Sequence, residues 1–165
     1  MNKIFLSYRR DGGEIMAAML YKELSSRGFD VFYDIESLKS GHFDTMLLKH
    51  IEESDDFVLI LPKNALDRCV NEDDWVRQEI AHAIKLNKNI VPVLLREFEF
   101  PTNLPPDIGM INTYNGVSFE TMYFLDAKVD KLVSYLKKND PAATISELPK
   151  AEPVTVNNKK SPNVT

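Results

Sequence analysis

The sequence predicts an α/β fold: a flavodoxin-like sheet of five parallel strands in the order 2-1-3-4-5, flanked by helices on both faces. Apolar runs of strand length alternate with amphipathic segments of helix length between residues 3 and 138. One run, Asp-Phe-Val-Leu-Ile-Leu at 56–61, is almost wholly apolar, as expected of a strand buried on both faces. Strands that alternate with helices form parallel sheets through right-handed crossovers, which place helices on both faces.

The first half of the chain is predicted to contain two strands and two helices. The strands cover residues 3–8 and 29–33, and the helices cover residues 14–27 and 42–53, with a polar loop at 34–41. Gly28 follows the first helix directly, and glycine is the residue that most often ends helices. The side chains expected to face the core are Ile15, Ala18, Met19 and Leu24 in the first helix and Phe43, Leu47 and Ile51 in the second.

The second half continues the same alternation. Strands are predicted at residues 56–61 and 90–95, with a weaker one near 110–113, and helices at 74–86 and 118–138. Sheets of this strand order bind ligands beyond the carboxyl ends of their strands, where strands 1 and 3 diverge. The loops at 9–13, 34–41 and 62–74 therefore form the predicted ligand-binding edge.

Composition divides the chain near residue 140. The 165 residues are 44% hydrophobic and 27% charged, which is typical of a globular protein, and residues 1–140 are predicted to form one domain. Residues 141–165 contain four prolines and no aromatic residue. We expect this segment to be a disordered linker or tail, which is compatible with a further module beyond it.

Charge and hydropathy argue against several partners. The net charge is −5 and no basic stripe offsets it, so we expect no binding to nucleic acid. No apolar run approaches the ~20 residues of a membrane span, and the N-terminus becomes polar too early for a signal peptide. We therefore expect a cytoplasmic protein without membrane contact.

The chain also lacks the motifs of several common sites. The single cysteine, Cys69, excludes an internal disulfide and a multi-thiolate metal site, and we expect it to be a small buried residue. The three histidines, His42, His50 and His82, do not have metal-ligand spacing, so no metal is predicted. Neither a dinucleotide fingerprint nor a phosphate-binding loop is present.

The segment Asp-Asp-Trp-Val-Arg-Gln-Glu at 73–79 is the main candidate for chemistry. Trp75 and Glu79 stand four residues apart on a predicted helix, so they share one face. On spacing alone, such a pair is more often packing plus a solvated acid. Its place at the start of the helix that follows the third strand brings it to the predicted ligand-binding edge.

An ordered series of motifs resembles Toll/interleukin-1 receptor (TIR) domains. Residues 4–10, Ile-Phe-Leu-Ser-Tyr-Arg-Arg, resemble the first conserved box, and residues 32–43 resemble the second strand and the BB loop. Residues 57–61, 65–69 and 74–79 are similar to the third strand and the helix that follows it, and residues 89–93 to the fourth strand. The resemblance covers residues 3–138 and is greatest to the NAD-cleaving branch of the family.

The resemblance implies an NAD+ glycohydrolase that releases nicotinamide and ADP-ribose, linear or cyclic, with NAD+ as substrate and no further cofactor. Glu79 matches the catalytic glutamate of that branch. The positions that match its substrate-binding residues are Tyr8, Arg9, Arg10, Asp34, Leu38, Gly41 and Trp75.

These assignments have structural alternatives. Arg9 and Arg10 either bind phosphates or solvate a loop, and Tyr8 is either a pocket wall or the edge of the core. Trp75 either stacks on a ring or packs its helix against the sheet, and we favour packing that shapes the pocket. Asp34 either contacts the ligand or caps the following loop.

The resemblance also implies that activity appears when TIR domains assemble into a homo-oligomer or filament, with the BB loop of one copy reaching its neighbour. A cyclic-nucleotide-sensing module in a longer chain would then control clustering, in bacterial antiphage defence. The alternative function is a non-catalytic adaptor that signals through TIR–TIR contact alone. An adaptor has no need of the Glu79 carboxylate.

Overall fold

The computed structural model of the chain describes residues 1–33 and 43–137, and only the backbone of Phe43 and Asp44. The predicted polar loop at 34–41, the inward side chain of Phe43 and the predicted tail at 141–165 lie outside the described residues.

The described residues form a five-stranded parallel sheet in the order β2-β1-β3-β4-β5, so the predicted fold class is confirmed. The strands are β1 (Lys3–Tyr8), β2 (Asp30–Phe32), β3 (Asp56–Leu61), β4 (Asn89–Leu95) and β5 (Val117–Phe119). All six residues of β3 are buried, as its apolar run predicts. Because β1 pairs with β2 on one side and β3 on the other, the loops after β1 and β3 diverge at the carboxyl edge.

Helices cover both faces of the sheet. They are α1 (Arg10–Ser26), α2 (Phe43–Glu53), α3 (Trp75–Lys85) and α4 (Leu125–Tyr135). α1 and α4 share one core cluster with the alternate residues of β1 that include Ile4 and Leu6. α2 and α3 share the other cluster, in which Phe5 of β1 packs beside Phe57 of β3.

The predicted inner face of the first helix was partly wrong. Leu24 is buried and Met19 is partly buried, but Ile15 is 86% exposed and Ala18 is exposed as well. The buried side of α1 consists of Gly13, Met16, Ala17, Leu20 and Leu24. Residues 15–20 are all apolar, so their periodicity does not distinguish one face from another, and the turn before them sets the register.

That turn lies at Asp11–Gly12, where the backbone leaves helical geometry. Gly12 has a φ of 85°, a left-handed conformation that favours glycine, and a Cβ there would lie 3.0 Å from the Cβ of Pro62. The turn therefore holds the loop after β1 close to the loop after β3. The regular part of α1 begins only at Gly13.

The predicted strand near 110–113 was also wrong. Residues Gly109–Thr113 form a short 3-10 helix that buries Ile111, and the fifth strand begins at Val117. The chain approaches β4 at Gly116, where a Cβ would lie 2.9 Å from the carbonyl oxygen of Pro92. The last helix consequently starts at 125 rather than 118.

Candidate functional site

A cavity of about 380 Å³ opens at the carboxyl edge of the sheet, between the end of β1 and the first turns of α3. Its described lining is Phe5, Leu6, Tyr8, Arg9, Arg10, Asp11, Leu47, Arg68, Asp74, Trp75, Val76 and Glu79. Five residues selected from the sequence therefore line one cavity: Tyr8, Arg9, Arg10, Trp75 and Glu79. The other three, Asp34, Leu38 and Gly41, lie outside the described residues.

Glu79 occupies the second turn of α3 and is only 7% exposed. Helix α3 buries Val76, Ile80 and Ala83 against the sheet, which directs Glu79 toward the end of β1. There the hydroxyl of Ser7, itself 1% exposed, donates a hydrogen bond to Glu79 Oε2 at 2.5 Å. A carboxylate is therefore held beside a largely apolar cavity, where electrostatic effects are stronger than in water.

Asp74 fixes the start of α3. As the N-cap, it accepts a hydrogen bond from the backbone N–H of Arg77 at 3.1 Å. The Arg9 guanidinium approaches the same carboxylate with both terminal nitrogens, Nη1 to Oδ1 at 3.0 Å and Nη2 to Oδ2 at 2.9 Å. Arg9 Nε also donates to the carbonyl of Ala65 at 2.8 Å. The Arg9–Asp74 pair thus ties the end of β1 to the start of the helix that carries Glu79.

The ionisation of this pair follows from its contacts. Burial would raise the pKa of Asp74, but hydrogen bonds from Arg9 and from the Arg77 N–H hold it below its usual value. Burial would lower the pKa of Arg9, but Asp74 raises it. Both groups are therefore charged at neutral pH. The described contacts of Arg9 favour a structural role over the phosphate contact that the sequence also allowed.

Cys69 lies beneath the same pair and is buried, as predicted. Its Sγ lies 3.4 Å from Asp74 Oδ2. Burial, followed by the negative charge of Asp74, raises the pKa of the thiol to about 12. The thiol is therefore protonated at neutral pH and is not a nucleophile in this state.

Of the remaining cavity residues, some pack against the core and others lie exposed at the mouth of the cavity. Trp75 packs against the core cluster of α2 and α3 and also lines the cavity, which agrees with a role in shaping it. Tyr8 is partly buried, with its ring centroid 6.0 Å from that of Tyr33. Arg10 and Arg68 are exposed at the mouth and bring two positive charges there.

Sequence reasoning missed Ser7, Arg68 and the role of Asp74. An aspartate directly before an apolar helix is an N-cap signal that could have identified Asp74. Ser7 is the one small polar residue among the apolar positions of β1, a weaker signal. We find no sequence signal for Arg68.

Within residues 1–33 and 43–137, neither a metal-binding cluster nor a membrane-spanning helix occurs. No three or more histidine, cysteine or acidic side chains in that part of the chain are arranged to hold a metal ion. None of its helices combines the length and the apolar character needed to cross a membrane.

Comparison with known proteins gave a family match and two kinds of relative. The family model for the TIR domain matches residues 4–137. The NAD(+) hydrolase tir-1 of Caenorhabditis elegans is 40% identical over 154 residues, which are 88% of this chain and 16% of that protein. The NAD(+) hydrolase sarm1 of Drosophila melanogaster is 41% identical over 139 residues, which are 81% of this chain and 10% of that protein. The chain thus spans less than a fifth of either relative.

Solved structures share the fold at lower identity. The TIR domains of the activated Roq1 resistosome have a TM-score of 0.58 at 18% identity, over 81% of this chain and 98% of that one. A metazoan TIR-STING receptor from C. gigas has a TM-score of 0.55 at 19% identity, over 81% of this chain and 39% of that one. At these identities the likeness extends to the fold alone.

Proposed function

The chain belongs to the TIR domain family, and we propose from this premise that it is an NAD+ glycohydrolase. It would cleave the bond between nicotinamide and ribose in NAD+ and release nicotinamide and ADP-ribose, linear or cyclic. Both curated relatives described above are named NAD(+) hydrolases, and each matches more than four fifths of this chain. NAD+ is then a substrate, and no further cofactor is required.

The observation that best supports this proposal is the buried carboxylate of Glu79 beside a cavity whose surface is largely apolar. When the bond between ribose C1′ and the pyridinium nitrogen breaks, its electron pair goes to the nitrogen. Nicotinamide leaves neutral, so no general acid is needed, unlike the usual glycoside hydrolysis by two carboxylates. The ribose becomes oxocarbenium-like, and the Glu79 carboxylate would stabilise this positive charge. Water then adds at C1′ and releases one proton.

The mouth of the cavity suits the rest of the substrate. Arg10 and Arg68 are exposed there, and guanidinium groups bind phosphate oxygens well, so we propose that they contact the pyrophosphate. Trp75 and Tyr8 would form walls of the nicotinamide riboside region. Roles for Asp34, Leu38 and Gly41 rest on the resemblance in sequence.

Product analysis tests the proposal. The chain is clustered on a vesicle surface, incubated with NAD+, and its products are separated and identified by mass spectrometry. We expect nicotinamide and ADP-ribose in equal amounts, or a cyclic product in place of the linear one. Glu79→Gln should slow nicotinamide release by at least about 100-fold, the scale of losing one transition-state electrostatic contact. Glu99→Gln, in an exposed loop, should not slow it.

Two outcomes would contradict parts of this proposal. Unchanged turnover by Glu79→Gln would remove the catalytic assignment. Absence of turnover by the clustered wild type would instead favour the adaptor function.

We also propose that turnover depends on assembly with other TIR domains. This extension rests on the resemblance to the NAD-cleaving branch. On the same basis we propose a cytoplasmic role in bacterial antiphage defence, in which a cyclic-nucleotide-sensing module controls the assembly. If it holds, the rate per molecule rises with surface density, and bacteria that express the wild type form fewer phage plaques than bacteria that express Glu79→Gln. A rate per molecule independent of density would contradict dependence on assembly.

A further inference from the structure

Ser7 is a buried hydroxyl in a position that packing alone would give to an apolar residue. It lies in β1, where the two preceding residues, Phe5 and Leu6, are almost fully buried, and Ser7 itself is 1% exposed. Side chains alternate along a strand, so Ser7 and Phe5 face the α2–α3 side of the sheet. A buried hydroxyl is costly unless it is hydrogen-bonded, so its partner explains its presence.

That partner is Glu79. Ser7 Oγ donates to Glu79 Oε2 at 2.5 Å, at the short end of the range for a hydrogen bond from a hydroxyl to a carboxylate. A serine hydroxyl has a single proton, and a carboxylate only accepts, which fixes the direction of the bond. β1 lies between β2 and β3, and Ser7, one residue before the end of β1, stands opposite Leu59 of the fully buried β3. The donor is therefore attached to rigid backbone, whereas Glu79 is a long side chain on a helix.

We propose that Ser7 is a positioning residue: it holds Oε2 of Glu79 so that the carboxylate presents a fixed orientation to the cavity. The inference rests on the proposed NAD+ cleavage and adds a residue to it. Ser7 acts through Glu79 and does not touch the substrate. Its contribution therefore falls on the step in which charge develops on the ribose and leaves substrate binding largely unchanged.

The test compares Ser7→Ala with Ser7→Thr, which keeps the hydroxyl in a strand position. In Ser7→Ala, kcat should fall by about tenfold to 100-fold, the scale of a misplaced catalytic group, with KM changed less than about threefold. Ser7→Thr should recover at least about half of the wild-type kcat, since it retains the donor. Rates are measured on the full chain clustered on vesicles, at a temperature where each variant remains folded by circular dichroism.

A matched control removes another buried serine hydroxyl far from the cavity. Ser54 is 6% exposed and donates to the His50 carbonyl at 2.6 Å, at the amino end of β3. Ser54→Ala should keep kcat within about twofold of wild type, since Ser54 lies at the opposite edge of the sheet from the cavity and is not among the residues that line it. If Ser7→Ala does not fold, Ser7→Cys, a weak donor of similar size, should show the fall in kcat instead.

The outcomes separate the two proposals. No turnover by the clustered wild type overturns the proposed function, and the role of Ser7 with it. Turnover by the wild type that Ser7→Ala retains overturns the role of Ser7 alone. So does an equal loss in Ser54→Ala, or a Ser7→Thr variant as slow as Ser7→Ala.

Discussion

Replacing Arg9 with alanine should lower the free energy of unfolding by about 3 kcal/mol, because it leaves the Asp74 carboxylate without its main partner. The two side chains are only 11% and 8% exposed, so water does not readily replace the lost contacts. Breaking a buried ion pair from one side costs about 3–5 kcal/mol. We expect the lower end of that range, because Asp74 keeps hydrogen bonds from the Arg77 N–H and the Cys69 thiol.

The assay is equilibrium denaturation by urea at pH 7, with Arg27→Ala as the matched control. Arg27 forms an ion pair with Asp130 in which the side chains are 29% and 66% exposed. An exposed pair of this kind is worth about 0–1 kcal/mol, so Arg27→Ala should change stability by no more than that. The difference between the two variants isolates the effect of burial.

The pH dependence gives a second readout. Because the folded-state pKa of Asp74 lies below its ordinary value, its stabilising contribution is complete above the unfolded-state pKa and is lost as pH falls through the folded-state pKa. The gap between wild type and Arg9→Ala should therefore narrow in acid. A stability cost no greater than that of Arg27→Ala, together with a raised KM for NAD+, would refute this reasoning and restore Arg9 as a phosphate contact.

Two further predictions concern packing. In the folded chain at pH 8, Cys69 should resist alkylation by iodoacetamide, because its thiol is buried and has a pKa of about 12. Intact-mass measurement should show full labelling only in denaturant. Fast labelling of the folded chain would contradict this prediction. Gly116→Ala should destabilise the fold by about 1–3 kcal/mol, because the new methyl group would lie 2.9 Å from the carbonyl oxygen of Pro92 in β4. The control is Gly109→Ala, whose methyl group would meet nothing within 4 Å and should change the urea midpoint little. Equal midpoints for the two alanine variants would contradict the close approach.

The sequence predicted the centre of the sheet better than its edge. β1 and β3 begin and end at the predicted residues, because buried central strands are continuous apolar runs. The fifth strand was misplaced because residues 110–113 have the composition of a strand, while the real one is a three-residue segment set by contact with β4. The face of α1 was misassigned because its first turn depends on Gly12, whose role follows from the approach of Pro62.

The candidate site was also predicted only in part. Trp75 and Glu79 could be selected because a short motif at the start of a helix carries both. The contact of Ser7 with Glu79 joins residues 72 positions apart, and that of Arg9 with Asp74 joins residues 65 apart, so neither leaves a local signal. These contacts arise only when the sheet brings the end of β1 against the start of α3.

The most direct measurement of the central claim is the ratio of nicotinamide release rates between wild type and Glu79→Gln, at equal surface density and with both chains folded. If the Glu79 carboxylate stabilises the transition state, the ratio should be at least about 100, and Glu99→Gln should be indistinguishable from wild type. A ratio near one would show that NAD+ cleavage, if it occurs, does not depend on Glu79.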